Sequence, residues 1–210
     1  MKPINIAITA ACFSGNKGAA AMLQSSIKQL KERYGEKLNI FLMSTYPKAD
    51  RKLIAEMPEK YDFIKVVNAK PESLLFLAFP PFRKLLQKDK IIKAYSQCDI
   101  VIDEAGISFV DSRGFVMNTY AFVCAAVPML CGVPVVKYSQ ALGTFRSGWN
   151  KFLAKWILPK IKLICARGEI TRENLAGIGI TENVKLCADG AFSMPDSEYY
   201  AEKVGKLCEE

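Results

Sequence analysis

A chain of 210 residues, 50% of them hydrophobic and 24% charged, can build one large core and is too apolar for a disordered tail. It contains no histidine, which removes the commonest general base and the commonest zinc ligand, so its chemistry must use carboxylates, Lys, Arg, Cys, Tyr or backbone dipoles. Lys and Arg number 29 against 21 Asp and Glu, a net charge of +8; this points to an anionic partner. The spread of the basic residues along the chain speaks against a nucleic-acid tail.

The opening Met1-Lys2-Pro3-Ile4-Asn5-Ile6 lacks the apolar run of a secretory signal. Cys12, Cys98, Cys124, Cys131, Cys165, Cys187 and Cys208 are odd in number and never at Cys-x-x-Cys spacing. The expectation is reduced thiols in a cytoplasmic protein, with no metal site.

In chain order, the apolar run Ile4–Thr9 predicts a strand, the loop Ser14–Gly18 follows, and Ala19–Tyr34 has helical spacing of Met22, Leu23, Ile27 and Leu30. Leu38–Ser44 predicts a second strand, Lys48–Met57 a short helix and Phe63–Asn68 a third strand. Leu74–Phe82 is apolar but carries Pro80-Pro81 and is expected to be a loop or lid; Arg83–Ser96 resumes helical periodicity. Asp99–Asp103 predicts the fourth strand. From Gly114 to Val136 there is no charged residue, a stretch long enough to cross a bilayer. Asn118, Thr119 and Tyr120 interrupt it, Pro128 lies inside it and Gly132-Val133-Pro134 closes a helix. A buried helix of about 15 residues and then a buried strand are therefore expected. Pro134–Ser139 is that strand, Gln140–Gly148 a loop and Trp149–Ile157 an aromatic-rich helix. Leu163–Ala166 and Val184–Ala188 are the last strands, with the helix Glu169–Leu175 between them.

Seven strands with interposed helices imply a doubly wound α/β fold: a mainly parallel sheet with helices on both faces. Ligands of such sheets bind outside the carboxyl ends of the strands, which gathers the loops 12–18, 103–114, 139–148, 166–168 and 188–195 on one edge.

In the first loop, Asn16 and Gly18 precede a helix whose N-terminal N–H groups suit an anion, without either nucleotide fingerprint. In the second, Asp103, Glu104 and Asp111 converge near Gly106, where a carboxylate can orient or deprotonate a hydroxyl. Ser139 and Gln140 offer hydroxyl and amide donors at the end of the fifth strand. Arg167 leaves the sixth strand just before a helix, a setting that suits a carboxylate or phosphate ligand; an ion pair with Glu169 or Asp189 accounts for it equally well.

The ordered set Gly15-Asn16-Lys17-Gly18-Ala19, Asp99-Ile-Val-Ile-Asp103 with Gly106 and Asp111, Ser139-Gln140-Ala141-Leu142-Gly143, Ala166-Arg167-Gly168-Glu169 and Ala188-Asp189-Gly190 resembles the polysaccharide pyruvyl transferases over about residues 4–195. Departures are Ala19 in place of an acid, Glu104-Ala105 within a glycine run, and Gly168 in place of Asp after the arginine. The resemblance implies that 1–195 is a Rossmann-like domain, one half of a two-domain fold of the glycosyltransferase-B type. Residues 196–210 would then be a tail or linker towards a second domain. It implies transfer of a pyruvyl group from phosphoenolpyruvate, the donor substrate, to a sugar of a cell-surface polysaccharide. No cofactor is expected, and these residues alone are expected to be inactive. Arg167 and Asp103 are the expected catalytic residues; Asn16, Gly18, Gly106, Ser139, Gln140 and Asp189 are expected at the substrates. Two other readings share the fold: a sugar-nucleotide-binding module and a non-catalytic binding or scaffold domain.

The stripe Trp149, Phe152, Leu153, Trp156 and Ile157, interleaved with Lys151 and Lys155, admits three accounts. It buries its aromatics in the core, as most amphipathic helices do; it packs on a second domain; or it touches the inner membrane face, where lipid-linked acceptors of the kind implied by the resemblance would lie.

Overall fold

In the computed structural model, residues 2–57, 61–69 and 90–193 are described. The apolar Pro80-Pro81 segment, the first half of the helix expected over 83–96, and the tail lie outside them.

The strands are β1 (Ile4–Thr9), β2 (Leu38–Ser44), β3 (Ile64–Asn68), β4 (Ile100–Asp103), β5 (Ile107–Ser108), β6 (Val135–Leu142), β7 (Leu163–Arg167) and β8 (Val184–Cys187). The helices are α1 (Lys17–Tyr34), α2 (Pro47–Glu56), α3 (Lys90–Tyr95), α4 (Gly114–Leu130), α5 (Gly148–Ile157) and α6 (Glu169–Ala176). The sheet order is β3-β2-β1-β4-β6-β7-β8, and β5 pairs with β6. Every pairing is parallel, as helical crossovers require.

Alternation of side chains sorts the core into two layers. Ile6 and Ile8 meet Ile40, Leu42, Leu23 and Ile27 on one face. Ala7 meets Phe41, Met43, Val101, Val135 and Ile164 on the other, under residues of α3 to α6. Each buried aliphatic side chain contributes about 1.5–3 kcal/mol, so a one-residue slip of a strand would forfeit a whole row. Helix α1 begins two residues before its apolar periodicity because Asn16 caps it, and it ends at Gly35 with φ of 57°.

Helix α4 explains the uncharged stretch. Its buried residues run from Ala121 through Val123–Pro128, where the chain packs on the sheet in the core of Val101, Val135 and Ile164. Residues 111–130 have the length and composition of a membrane span, but here the later part of the helix, Ala121 to Pro128, is packed in the core while its first turn is exposed.

Two expectations are corrected. β6 does not stop at Ser139 but runs on to Leu142, across an irregularity between Lys137 and Gln140 where Ser139 takes φ of 50°; β5, unforeseen, pairs with this extension. The aromatic stripe of α5 is also not in the core: Trp149, Phe152 and Trp156 are 38%, 54% and 52% exposed, and the buried face is Asn150, Leu153, Ala154 and Ile157.

Candidate functional site

A cleft of about 520 Å³ opens at the carboxyl ends of β1, β4 and β7. Its walls are the first loop and start of α1, the loop from Asp103 to Ser108, the first half of α4, and Arg167 with Asp189.

The first loop is held from behind. Asp50, buried on α2, accepts hydrogen bonds at Oδ1 from the Ser14 N–H (2.9 Å) and hydroxyl (2.7 Å), and at Oδ2 from the Ser44 hydroxyl. Gly15 leaves room for the Cys12 thiol: a Cβ there would lie 2.6 Å from Cys12 Sγ and would displace it. Burial, with the Asp50 charge added, raises the Cys12 thiol, against a smaller lowering from the Gly15 N–H, so Cys12 enters the cleft as a neutral thiol rather than a nucleophile. Asn16 Oδ1 accepts from the N–H groups of Gly18 (2.8 Å) and Ala19 (3.4 Å). Two of the donors expected to await a ligand are therefore used by the cap.

Asp103 reaches the cleft wall, yet its side chain is 1% exposed and ion-paired with buried Lys137 at 2.5 Å. Its other oxygen accepts from the Ala105 N–H (3.1 Å) and from Gln140 Nε2 (2.8 Å). Gln140 Nε2 also donates to the Asp103 carbonyl, and its Oε1 accepts from Ser108 (2.6 Å) and Lys137 (3.2 Å). Gln140 is thus a strut joining β4, β5 and β6 and does not line the cleft. Ser139 is also a strut: its hydroxyl donates to the Ala188 carbonyl (3.1 Å) and accepts from the Gly190 N–H (2.8 Å). Neither is placed as the sequence expected for a substrate contact.

Glu104 is fully buried beside Asp103, and neither carboxylate oxygen has a hydrogen-bond partner. Desolvation raises its carboxyl to about 8; the nearby Ser26 hydroxyl opposes this, and the Asp103 charge adds to it. At neutral pH it is a neutral acid. Asp111, expected near the same strand end, does not line the cleft. Its carboxylate instead accepts from the Arg146 N–H (2.8 Å), Asn150 (2.9 Å), Thr144 (3.0 Å) and the Ser147 N–H (3.3 Å), fastening the start of α5. Partial burial raises this carboxyl, but those hydrogen bonds outweigh it and hold it below the ordinary range.

Arg167 stands at the end of β7. Its Nη1 pairs with Asp189 at 2.6 Å and its Nη2 donates to the Gly106 carbonyl at 2.9 Å; Glu169 pairs with Arg172 instead. Its side chain keeps 25% exposure, so the guanidinium edge remains open to the cleft. Arg113, exposed and also lining the cleft, has no ion-pair partner among the described residues. The sequence reading missed Arg113 and Lys137. A lone lysine in the β-branched run Val135-Val136-Lys137 was the available signal for a buried pair.

The charges now sum. Asp103 is neutralised from beneath by Lys137 and Asp189 by Arg167, Glu104 is protonated, and Arg113 remains uncompensated. The cleft therefore carries a net positive charge, which suits an anion. The signature of the polysaccharide pyruvyl transferase family matches residues 16–206, which include every residue lining this cleft except Ala10, Ala11, Cys12 and Gly15. The chain belongs to the polysaccharide pyruvyl transferase family. No curated protein matches it. For a member of this transferase family, the departures gain a structural meaning. Glu104, within the family's glycine run, lies buried below the loop, and Gly168 takes φ of 81°, a left-handed turn that a side chain resists. Among the described residues no cluster suited to a metal ion occurs.

Proposed function

We propose that the cleft binds phosphoenolpyruvate and serves the transfer of its pyruvyl group to two hydroxyls of a saccharide. The observation that carries this reading is the net positive charge of one cleft: Arg113 is uncompensated there, and Arg167, although paired with Asp189, stays a quarter exposed in the same lining. A small donor bearing both a carboxylate and a phosphate needs two such contacts, and a guanidinium offers each a planar fork. In the reaction, the methylene carbon of the donor takes a proton, a sugar hydroxyl adds to the neighbouring carbon, and phosphate leaves as a second hydroxyl closes the ketal. Positive charge opposite the phosphate favours its departure. Arg167 is assigned to the donor, oriented by Asp189 and the Gly106 carbonyl. Asp103, expected from the sequence to act as a base, takes a positioning role, since its lone pairs are engaged by Lys137, Gln140 and Ala105. Asn16 and Gly18 shape the wall facing the acceptor.

Titration calorimetry tests this. Phosphoenolpyruvate is expected to bind and a nucleotide-sugar not to bind. Arg113→Ala, which removes an exposed side chain, should weaken donor binding at least tenfold with stability changed by under about 0.5 kcal/mol. Arg167→Ala should abolish binding, at a stability cost of about 1–2 kcal/mol for the orphaned Asp189. Unchanged affinity in Arg113→Ala, or preference for the nucleotide-sugar, would overturn the assignment.

A further inference from the structure

Helix α5 carries two apolar faces, and only one is used by the core. Leu153, Ala154 and Ile157 are buried, while Trp149, Phe152 and Trp156 form an exposed row. The row continues onto α4 as a ladder of rings. Phe115 stacks on Trp149 at 4.8 Å, Trp149 meets Phe152 at 5.9 Å, Phe152 meets Trp156 at 5.7 Å, and Trp156 meets Phe122 at 5.1 Å. Trp149 Nε1 donates to Thr119 Oγ1 at 3.1 Å, which fixes the ladder to α4. Phe115 is 62% and Val116 73% exposed at its end. A surface helix ordinarily shows water its polar face, and a contiguous apolar patch of this kind marks an interaction surface.

Apart from Asp111, whose carboxylate is taken up by the start of α5, the charges along the segment that carries the ladder have one sign. No Asp or Glu occurs between Asp111 and Glu169, whereas Arg113, Lys137, Arg146, Lys151, Lys155, Lys160, Lys162 and Arg167 all do. Of these, Arg113, Arg146, Lys151, Lys155, Lys160 and Lys162 are exposed, and the Lys160 ammonium lies 5.8 Å from the Trp156 ring centroid. A second copy of the same face would bring these cations against one another, which argues against self-pairing.

We propose that this face docks on an anionic lipid surface, with the rings seated at the headgroup boundary and the lysine and arginine side chains on the headgroups. Rings with one polar edge, such as Trp, suit that depth. The first turn of α4 belongs both to the ladder, through Phe115, and to the cleft, through Met117 and the preceding Arg113. Docking therefore turns the cleft mouth towards the lipid surface. The inference stands independently of which donor the cleft takes.

Both tryptophans of the chain are in the ladder, so selectively excited tryptophan fluorescence reports on this face alone. The full chain is mixed with vesicles of phosphatidylcholine, or of the same lipid with about one-third phosphatidylglycerol. The anionic vesicles are expected to shift the emission to the blue, to quench it when their acyl chains are brominated, and to release the protein as salt rises. Phe152→Ser with Trp156→Ser should lose binding with Trp149 still reporting and the thermal midpoint unchanged. Lys151→Glu, Lys155→Glu and Lys160→Glu together keep every ring and should weaken binding by at least about 100-fold. Equal behaviour on neutral and anionic vesicles, retained binding in the charge-reversed variant, or a stable dimer that shields both tryptophans from an aqueous quencher would overturn the proposal.

Discussion

Replacing Glu104 by Gln isolates the electrostatic cost of the carboxyl beneath the cleft, since the two side chains have nearly the same shape. Burial lifts this carboxyl from 4.5 to about 8, opposed by Ser26 and aided by the Asp103 charge. Below pH 4.5 the group is neutral in both folded and unfolded chains, and its folded environment has no ionisation to oppose. Between 4.5 and about 8 the unfolded chain ionises while the folded one does not. Stability falls by ~1.4 kcal/mol per pH unit in that window, or on the order of 4–5 kcal/mol across it. Above about 8 the folded carboxyl ionises too and the decline ends. The assay is urea denaturation of wild type and Glu104→Gln at closely spaced pH values from 4 to about 9, with the slope against denaturant checked for constancy. The variant should lack the decline and be more stable than wild type by about 2–3 kcal/mol near pH 6.5. Parallel curves for the two proteins would show that Glu104 is ionised or solvated in the folded chain, and would refute the neutral-acid account of the cleft charge.

Lys137→Met leaves the Asp103 carboxylate buried without its cation and should destabilise the protein by about 3–5 kcal/mol; adding Asp103→Leu should recover most of that loss, as read by the same denaturation midpoints. Asp111→Asn keeps the shape of the fastening at the start of α5 but removes its charge. The wild-type advantage, about 1–2 kcal/mol near neutral pH, should shrink as pH falls through the depressed Asp111 value, because a lowered folded carboxyl stabilises only while it is ionised. An advantage that stays constant into acid would remove Asp111 from that role.

Strand and helix types were legible where the pattern is local. Ile4–Thr9, Leu38–Ser44 and Asp99–Asp103 carry β-type apolar runs, and the glycines and Asn16 punctuate them, so the parallel α/β architecture and the cleft edge followed from alternation and periodicity alone. The positions of Arg167 and Asp189 on that edge were legible for the same reason: each directly follows a strand. Their pairing was settled by register, because Arg167 stands opposite Cys187 in the sheet, two residues before Asp189. Other features depend on neighbours distant in sequence. Gln140 and Ser139 look like loop donors until β5 and the turn at Gly190 supply their partners. Asp103 looks like an available base until Lys137 is found against it, and Glu104 is an ordinary acid until α1 removes its water. The row of Trp149, Phe152 and Trp156 has the spacing of a core face, and the chain alone determined that these rings lie together. Whether they face inward was decided only by the sheet, which packed on Leu153 and Ile157 and left the rings outside, since hydrophobic spacing defines a face while tertiary packing selects which face is buried.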